Sequence, residues 1–501
     1  MSLESRDLLL GIDLGTSAIK VGVFTPESEV IKLVQTPTPI NRINQESAEH
    51  DATDLWNVTA KLIREVGFLS QIKAIGISSF GESGVLVNAQ GILLEPRMLT
   101  WFDARPKTML KELEKIIAFE ELRTISGLMA DHTYSLSKIL WLKLEHPELF
   151  TPDTRWISTA DWIALQLTGK VQMGVTQASR TLLLNLKTSG WNTKLAAKFD
   201  LQNLLAPLRM PGEAIGSVML KASKLTGLPV GIPVLEAAHD QTCAAFALGV
   251  NTPGAVMHAC GTVETFMQIL ERHQLESILK QPGVVVGHHA LNNQWYAMTT
   301  FRAAGSSFDW FVRTVAGEKD FESARDHVLE LAGQAQGNTP LFVPHLRTPS
   351  DNPFDTALKG GLFIGLRETH TLGHLAKAVL EGLSLESERA LKRLQLTPEV
   401  IRAVGGSTAS QVWMQCKSDI LGVPLEVHSS PHASVLGAAL LAWHHLGNLV
   451  SPPVALKRFI PQHDSNRLKR RYARVLQEHG KLNAILEDTH DDPSPHHHPD
   501  P

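Results

Sequence analysis

The stretch Leu8-Leu-Leu-Gly-Ile-Asp13-Leu-Gly15-Thr16-Ser17-Ala-Ile-Lys20-Val-Gly-Val-Phe24 holds two apolar runs on either side of a Gly-Thr pair. Two such runs joined by a tight turn predict a β-hairpin. A turn of this kind directs backbone N–H groups and a threonine hydroxyl towards one point, which suits a phosphate group. Asp13, just before the turn, can hold Mg²⁺ through water, while Thr16 and Ser17 take phosphate oxygens.

A second Gly-Thr pair, Gly261-Thr262, also stands between two apolar runs. An ordinary hairpin would explain either pair alone, but the repetition favours two related domains that act on one nucleotide. The second pair lacks an acid at the place that Asp13 has in the first. We therefore predict that metal binding belongs to Asp13 alone.

The composition is that of a globular protein with more than one hydrophobic core. The chain has 501 residues, of which 43% are hydrophobic and 20% charged, and this length favours two large domains. A net charge of −4 gives no general attraction to nucleic acid or to an anionic membrane. Three cysteines make neither a disulfide framework nor a zinc pattern, and the start of the chain does not read as a signal peptide, so we expect a cytoplasmic protein.

Strands alternate with helical stretches along the first half, which predicts an α/β sheet. The turn Asn251-Thr-Pro-Gly254 is the best domain boundary, since the second Gly-Thr hairpin follows it. We predict a first domain over residues 1–250, a second over 251–447 and a helical extension over 448–485. The Pro-, acid- and His-rich tail, 486–501, is predicted to be disordered.

Asp240 is the candidate general base. It follows a predicted buried strand, Val234–Ala238, and lies where α/β folds place their chemistry. Phosphoryl transfer to an alcohol needs such a carboxylate near the attacking hydroxyl. The alternative is an N-cap of a helix that begins at Thr242, and spacing alone favours the cap.

Two further motifs have weaker signals. Gly405-Gly406-Ser407 follows a predicted strand and opens a helix, so a nucleotide could approach its backbone closely, although a simple turn explains it equally well. His288 and His289 lack a third ligand at a suitable spacing, and we assign no metal role to them.

With these residues in place, the chain resembles the FGGY carbohydrate kinases, members of the sugar kinase, actin and heat-shock ATPase superfamily, from about Leu8 to about Leu446. The most specific segment, Gly361–Glu381, is similar to the family's C-terminal signature. A second segment, Ser135–Glu145, also matches, although Leu144 stands where a polar residue is usual.

The resemblance implies two ribonuclease-H-like, actin-like ATPase domains that flank a catalytic cleft, with ATP and Mg²⁺ between them. It makes Asp240 the catalytic base, which reverses the preference for a cap. The implied nucleotide-binding residues are Asp13, Gly15, Thr16, Ser17, Lys20, Gly261, Thr262, Gly305, Gly405, Gly406, Ser407 and Gln411. Ser407 replaces a commoner third glycine.

The substrate side is also implied by the resemblance. Its residues are Gly81, Glu82, Trp101, Asp103, Asp240 and Gln241. Trp101 and Asp103 belong to a Trp-x-Asp-x-Arg element, and Gly81 replaces the arginine of glycerol kinases. The stretches around Gly81, Gly127 and His239 are most similar to L-fuculokinases.

We therefore expect an ATP-dependent kinase that phosphorylates a ketose or deoxyketose of the xylulose or fuculose type. The alternatives are a kinase for another polyol, such as glycerol or erythritol, and a non-sugar actin-like ATPase. The expected partner is a small-molecule sugar, and we expect binding to neither nucleic acid nor a membrane. Whether the chain forms a homodimer is left open.

Overall fold

The Gly-Thr stretch at the start of the chain forms the predicted hairpin. The computed structural model describes residues 7–44, 46–301, 304–315, 320–346, 360–428, 432–451 and 455–487. In it, Leu8–Leu14 pairs with the antiparallel strand Ala18–Phe24. Every residue of the first of these strands is buried, which explains its run of apolar side chains.

The first half of the chain alternates short strands and helices, as predicted. Its strands are β1 (Leu8–Leu14), β2 (Ala18–Phe24), β3 (Val30–Pro37), β4 (Asn41–Arg42), β5 (Ala48–Asp51), β6 (Ile72–Ser79), β7 (Gly84–Asn88), β8 (Arg97–Leu99), β9 (Thr154–Ser158), β10 (Met173–Gly174), β11 (Leu184–Asn185), β12 (Gly190–Trp191), β13 (Leu208–Arg209), β14 (Gly216–Ser217) and β15 (Pro233–His239). Its helices are α1 (Ala52–Val66), α2 (Met109–Ile116), α3 (Phe119–Ser126), α4 (Ser135–Glu145), α5 (Thr159–Thr168), α6 (Val175–Ala178), α7 (Thr193–Lys198), α8 (Leu220–Thr226) and α9 (Asp240–Ala247).

The second half begins with the other Gly-Thr hairpin. Its strands are β16 (Ala255–Cys260), β17 (Glu264–Leu270), β18 (Val284–His288), β19 (Trp295–Phe301), β20 (Leu341–Val343), β21 (Leu362–Ile364), β22 (Val400–Val404), β23 (Leu425–His428) and β24 (Ala455–Phe459). Its helices are α10 (Leu275–Ile278), α11 (Gly305–Thr314), α12 (Phe321–Gln334), α13 (Leu372–Arg393), α14 (Gln411–Leu421), α15 (Ala433–His445) and α16 (Asn466–Glu487).

A six-stranded sheet with the order β14-β15-β6-β1-β2-β3 forms the centre of the first half. Strand β1 is parallel to β6, and β6 is parallel to β15. Because parallel strands end at the same edge of a sheet, the carboxyl ends of β1, β6 and β15 meet there. This edge carries the candidate active site.

A seven-stranded sheet with the order β18-β19-β17-β16-β22-β23-β24 contains the second hairpin. Strands β22 and β23 pair in parallel. The region that the sequence predicts as a helical extension, 448–485, contains strand β24 and most of helix α16. From residue 488 onwards, the predicted disordered tail lies outside the described residues.

The chain divides into two compact units, each made of separate segments. The first contains the described residues of 1–257, 267–298 and 428–455, and the second contains those of 258–266, 299–427 and 456–501. Within the part of the chain that the structure describes, no helix is long and apolar enough to cross a membrane.

Candidate active site

Asp13 lies at the sheet edge of the first unit, where its neighbours hold both carboxylate oxygens. Ser78, its register partner on β6, donates to Oδ1 at 2.7 Å. Ser434, on helix α15, donates to Oδ2 at 2.7 Å. The ammonium group of Lys20, the register partner of Asp13 on β2, lies 3.8 Å from Oδ2. These contacts fix the orientation of a carboxylate that is 2% exposed.

This environment fits a magnesium ion that keeps most of its water. Among the described residues there is no group of three or more His, Cys, Asp and Glu side chains that could hold a metal ion. The described residues therefore contain no metal site built only from such side chains. Mg²⁺ does not need one, because it commonly binds through one or two carboxylates and the phosphates of a substrate. Asp13, fixed by two hydroxyl groups, can hold such a hydrated ion.

The turn that follows Asp13 leaves its polar groups accessible. The amide of Gly15 donates to the carbonyl of Ala18 at 3.0 Å, which closes the turn. Thr16 and Ser17 are exposed at its tip. The indole N–H of Trp101 donates to the hydroxyl of Thr16 at 3.0 Å. A residue predicted for the sugar thus contacts a residue predicted for phosphate.

Asp240 is the first residue of helix α9, and His239 takes the N-cap position. The alternative role of Asp240 as the N-cap of a helix beginning at Thr242 is therefore wrong, because the helix begins two residues earlier. Burial, the largest cause, and the negative charges of Asp13 and Glu82 together raise the pKa of Asp240 to about 7. A carboxyl group with this pKa can accept a proton near neutral pH.

The neighbours of Asp240 present polar atoms that the protein leaves available. His239 Nδ1 and Gln241 Oε1 are buried, and neither has a hydrogen-bond partner among the residues that the structure describes. His239 Nε2 lies 3.5 Å from Asp240 Oδ1. Burial holds the pKa of His239 well below its usual value, and the charge of Arg180 adds to this, so the ring is neutral. Such atoms suit the hydroxyl groups of a bound ligand.

Gly81 and Glu82 occupy the loop after β6. A Cβ atom at Gly81 would lie 2.8 Å from His239 Cδ2, so a larger residue would displace the imidazole. Glu82 has a φ of 67°, in the left-handed region that non-glycine residues rarely adopt. Its Oε1 accepts from Arg180 Nε at 2.7 Å, and Arg180 Nη2 lies 2.5 Å from the same oxygen.

The Trp-x-Asp-x-Arg element is held from inside the first unit. Asp103 is fully buried, accepts from the amide of Ala48 at 2.9 Å and binds the guanidinium of Arg105 at 2.8 Å. The buried Lys138 donates to the carbonyl of Trp101 at 3.3 Å and to that of Thr133. Asp103 and Lys138 therefore set the position of the loop that carries Trp101.

The predicted nucleotide residues of the second unit lie on adjoining elements. The amide of Gly305, at the start of α11, donates to the carbonyl of Gly261 at 3.3 Å, and the amide of Ser306 donates to that of Thr262 at 3.2 Å. Gly405 has a φ of 114°, and a Cβ atom there would lie 2.5 Å from the carbonyl oxygen of Cys260.

The rest of that motif continues from Gly405. Gly406 and Ser407 begin a short 3₁₀ turn, where Ser407 is buried and the space around Gly406 is open. Gln411 is exposed at the first position of α14. The backbone of this segment is accessible at Gly406, as close approach of a ligand would require.

A buried ion pair supports the second Gly-Thr turn. Lys417 Nζ contacts both carboxylate oxygens of Glu264 at 2.6 Å. Ser387 on α13 donates to Glu264 Oε2 at 2.6 Å, and His258 Nε2 lies 2.9 Å from the same oxygen. Burial alone would raise the pKa of Glu264, but the charge of Lys417 and the hydrogen bonds from Lys417 and His258 outweigh it and hold this pKa at about 2. Helices α13 and α14 are thereby fastened to both strands of the hairpin.

Several residues of the site could not be found from the sequence. Ser434, Arg180 and Tyr296 belong to segments far from Asp13 and Asp240 in the chain, and no motif marks them. Ser78 had a signal, since it lies near the end of strand β6, shortly before the predicted sugar residues Gly81 and Glu82, and register with β1 places it beside Asp13.

Comparisons with known proteins identify the family of the chain. A fixed carboxylate beside a Gly-Thr turn, with a second carboxylate of raised pKa, suits an enzyme that transfers a phosphoryl group to a hydroxyl group. The chain belongs to the FGGY family of carbohydrate kinases, whose N-terminal domain matches residues 8–247 and whose C-terminal domain matches residues 256–446. It is an ATP-dependent sugar kinase, as the sequence predicted.

Relatives and a solved structure extend the match over most of the chain. A xylulose kinase of Staphylococcus epidermidis is 26% identical and covers 94% of this chain and 96% of its own. An L-fuculokinase of Salmonella typhi is 26% identical over 90% of this chain and 95% of its own. The crystal structure of xylulose kinase from Rhodospirillum rubrum matches with a TM-score of 0.83, 22% identity and coverage of 96% and 99%. The predicted actin-like ATPase fold is confirmed.

Proposed function

We propose that the protein transfers the γ-phosphate of ATP to a hydroxyl group of a ketose or deoxyketose of the xylulose or fuculose type. The observation that carries this proposal is Asp240, a carboxyl group with a pKa of about 7 on the same sheet edge as Asp13. The names of the relatives, xylulose kinase and L-fuculokinase, support the choice of sugar.

In the proposed reaction, Asp240 accepts the proton of the attacking hydroxyl. The hydroxyl oxygen then forms a bond to the γ-phosphorus, and the bond between that phosphorus and the β,γ-bridging oxygen breaks, so that ADP leaves. His239 and Gln241 orient the sugar through their available polar atoms. Trp101 offers an apolar face to the sugar carbons. We assign Gly81 and Glu82 to the wall of this pocket, and Asp103 holds the loop that carries Trp101.

For the nucleotide, we propose that Gly15, Thr16, Ser17 and Lys20 bind phosphate oxygens. Asp13 holds the hydrated Mg²⁺, which when bound neutralises part of the phosphate charge. In the second unit, the remaining nucleotide contacts are assigned to Gly261, Thr262, Gly305, Gly405, Gly406, Ser407 and Gln411. We also propose a domain boundary at 251–254, which is supported by the gap between the two family matches.

The alternative acceptors differ in their support. Gln241 follows the base as in glycerol kinases, which keeps glycerol and erythritol as candidates. The non-sugar ATPase loses its basis, because the chain belongs to a family of carbohydrate kinases.

A coupled assay of ADP release tests the proposal. The panel contains D- and L-xylulose, L-fuculose, glycerol and erythritol, each at a saturating concentration with ATP and Mg²⁺. We expect one ketose to accelerate ADP release far above the sugar-free rate. Faster release with glycerol or erythritol than with any ketose would favour the polyol alternative. No acceleration by any acceptor would contradict the proposal.

A further inference from the structure

Arg180 and Glu82 form a buried pair in the first unit. Besides its two contacts with Glu82, Arg180 donates from Nη1 to the hydroxyl of Tyr296 at 3.3 Å. Its guanidinium also lies over the ring of Tyr134, 5.2 Å from the centroid. Both side chains of the pair are less than 10% exposed. The Arg180 guanidinium therefore donates its hydrogen bonds to groups of the protein.

The backbone at Glu82 is strained beside this pair. Glu82 takes a left-handed conformation, with a φ of 67°, which is strained for a residue with a side chain. The hydroxyl of Ser135 donates to its carbonyl oxygen at 2.9 Å and holds the turn in place. A residue stays in such a strained conformation where the contacts around it hold it there, and such residues are common at ligand sites.

Two carboxylates add negative charge near the base. Asp13 and Glu82 both raise the pKa of Asp240 in addition to the larger effect of burial, and Arg180 opposes them with a smaller effect. Among the described residues, the cationic side chains named for this site have acidic or carbonyl partners: Arg180 binds Glu82, Lys20 lies 3.8 Å from Asp13, Arg105 binds Asp103 and Glu49, and Lys138 donates to carbonyl oxygens. A carboxylate on the sugar would have to compete with these partners for a cation, and like charges brought together cost affinity.

We propose that Glu82 is a specificity-determining residue that restricts this kinase to uncharged sugars. By occupying Arg180, it withholds the cation that an aldonic acid would need for its carboxylate. This inference rests on the proposed function, because it concerns the sugar that enters the same site.

The test compares D-gluconate with the best uncharged acceptor of the panel. For the wild type we expect kcat/KM for the uncharged sugar to exceed that for gluconate by about 100-fold or more. Glu82→Gln keeps the shape of the side chain and removes its charge, so Arg180 becomes available to a carboxylate. We expect this variant to lower the ratio of kcat/KM for the uncharged sugar to kcat/KM for gluconate by about tenfold or more, mainly through a lower KM for gluconate.

Two further variants make the result specific. Glu82→Gln/Arg180→Met should lose the gain for gluconate, because the cation is gone. Glu386→Gln, which removes the charge from another buried glutamate paired with an arginine, at 2.6 Å from Arg389, should leave the ratio unchanged.

Three results would overturn the inference. The first is a wild type that phosphorylates gluconate within tenfold of the uncharged sugar, and this comparison needs no variant to fold. The second is a folded Glu82→Gln variant with an unchanged ratio. Absence of transfer to any acceptor of either charge would overturn the proposed function as well, whereas the first two results would leave it standing.

Discussion

At the scale of single residues, Asp240 is the group that we propose as the base. Asp240→Asn keeps the size of the side chain but cannot accept a proton, so we expect kcat to fall by about 10²- to 10⁴-fold or more. Nucleotide affinity should stay near that of the wild type, because the Gly-Thr turns are unchanged. Turnover assays and titration calorimetry with ATP measure the two effects.

A matched control separates this effect from the effect of removing any one carboxylate. Asp200→Asn changes a carboxylate that is 82% exposed and paired with Lys143, and it should leave kcat unchanged. Near-normal turnover in the Asp240 variant would mean that another residue accepts the proton.

The raised pKa of Asp240 predicts the acid limb of the pH profile. The base must be ionised, and its pKa in the free protein is about 7. The active fraction therefore falls as pH decreases through this value, and kcat/KM for the sugar should drop about tenfold per pH unit below it. A profile that stays flat down to pH of about 5 would contradict the assignment, since an ordinary aspartate would remain ionised there.

Trp101 is expected to affect the nucleotide as well as the sugar. Trp101→Phe keeps a flat ring but removes the N–H that donates to Thr16. Since one hydrogen bond contributes about 1 kcal/mol, KM for ATP should rise about fivefold, with a smaller change in KM for the sugar. Trp191→Phe is the control, because its indole donates instead to the carbonyl of Ala206. A change confined to the sugar KM would show that the Thr16 contact is irrelevant.

At the scale of elements, Gly405 joins strand β22 to the segment that leads into α14. In Gly405→Ala, the new Cβ atom would meet the carbonyl of Cys260, directly before the second Gly-Thr pair. We expect KM for ATP to rise about tenfold or more, because alanine is strained at a positive φ and the turn must also shift.

Gly422→Ala isolates the contribution of backbone strain. Gly422 also has a positive φ, of 71°, but no atom lies within 4 Å of the added Cβ. This control should lower the free energy of unfolding by about 1 kcal/mol and leave KM for ATP unchanged. Equal effects of both substitutions on KM, with melting temperatures recorded in parallel, would contradict a local role of Gly405.

The elements also explain what the sequence could predict. Both Gly-Thr hairpins and the strand before Asp240 followed from local apolar patterns and turn residues. The start of α9 was misplaced by two residues, because spacing could not distinguish a capping Asp from one inside the first turn. Ser434 and Arg180 reach the site through tertiary packing of distant segments, and local pattern has no information about such contacts.

At the scale of the whole molecule, the two Gly-Thr hairpins have unequal surroundings. The first is followed by Lys20 and preceded by Asp13, whose carboxylate is fixed by two serines. The second is fastened instead by the buried pair of Glu264 and Lys417. The repetition that suggested two related domains thus combines one hairpin that we propose binds metal and phosphate with one that a buried ion pair supports.

We propose that the γ-phosphate of ATP ends on a hydroxyl of an uncharged sugar. Phosphorus NMR of the reaction mixture, with the best ketose of the panel, is the decisive measurement, because it distinguishes transfer from hydrolysis. We expect a sugar phosphate monoester that forms in equal amount to ADP. Formation of ADP with inorganic phosphate, and an unmodified sugar, would contradict it.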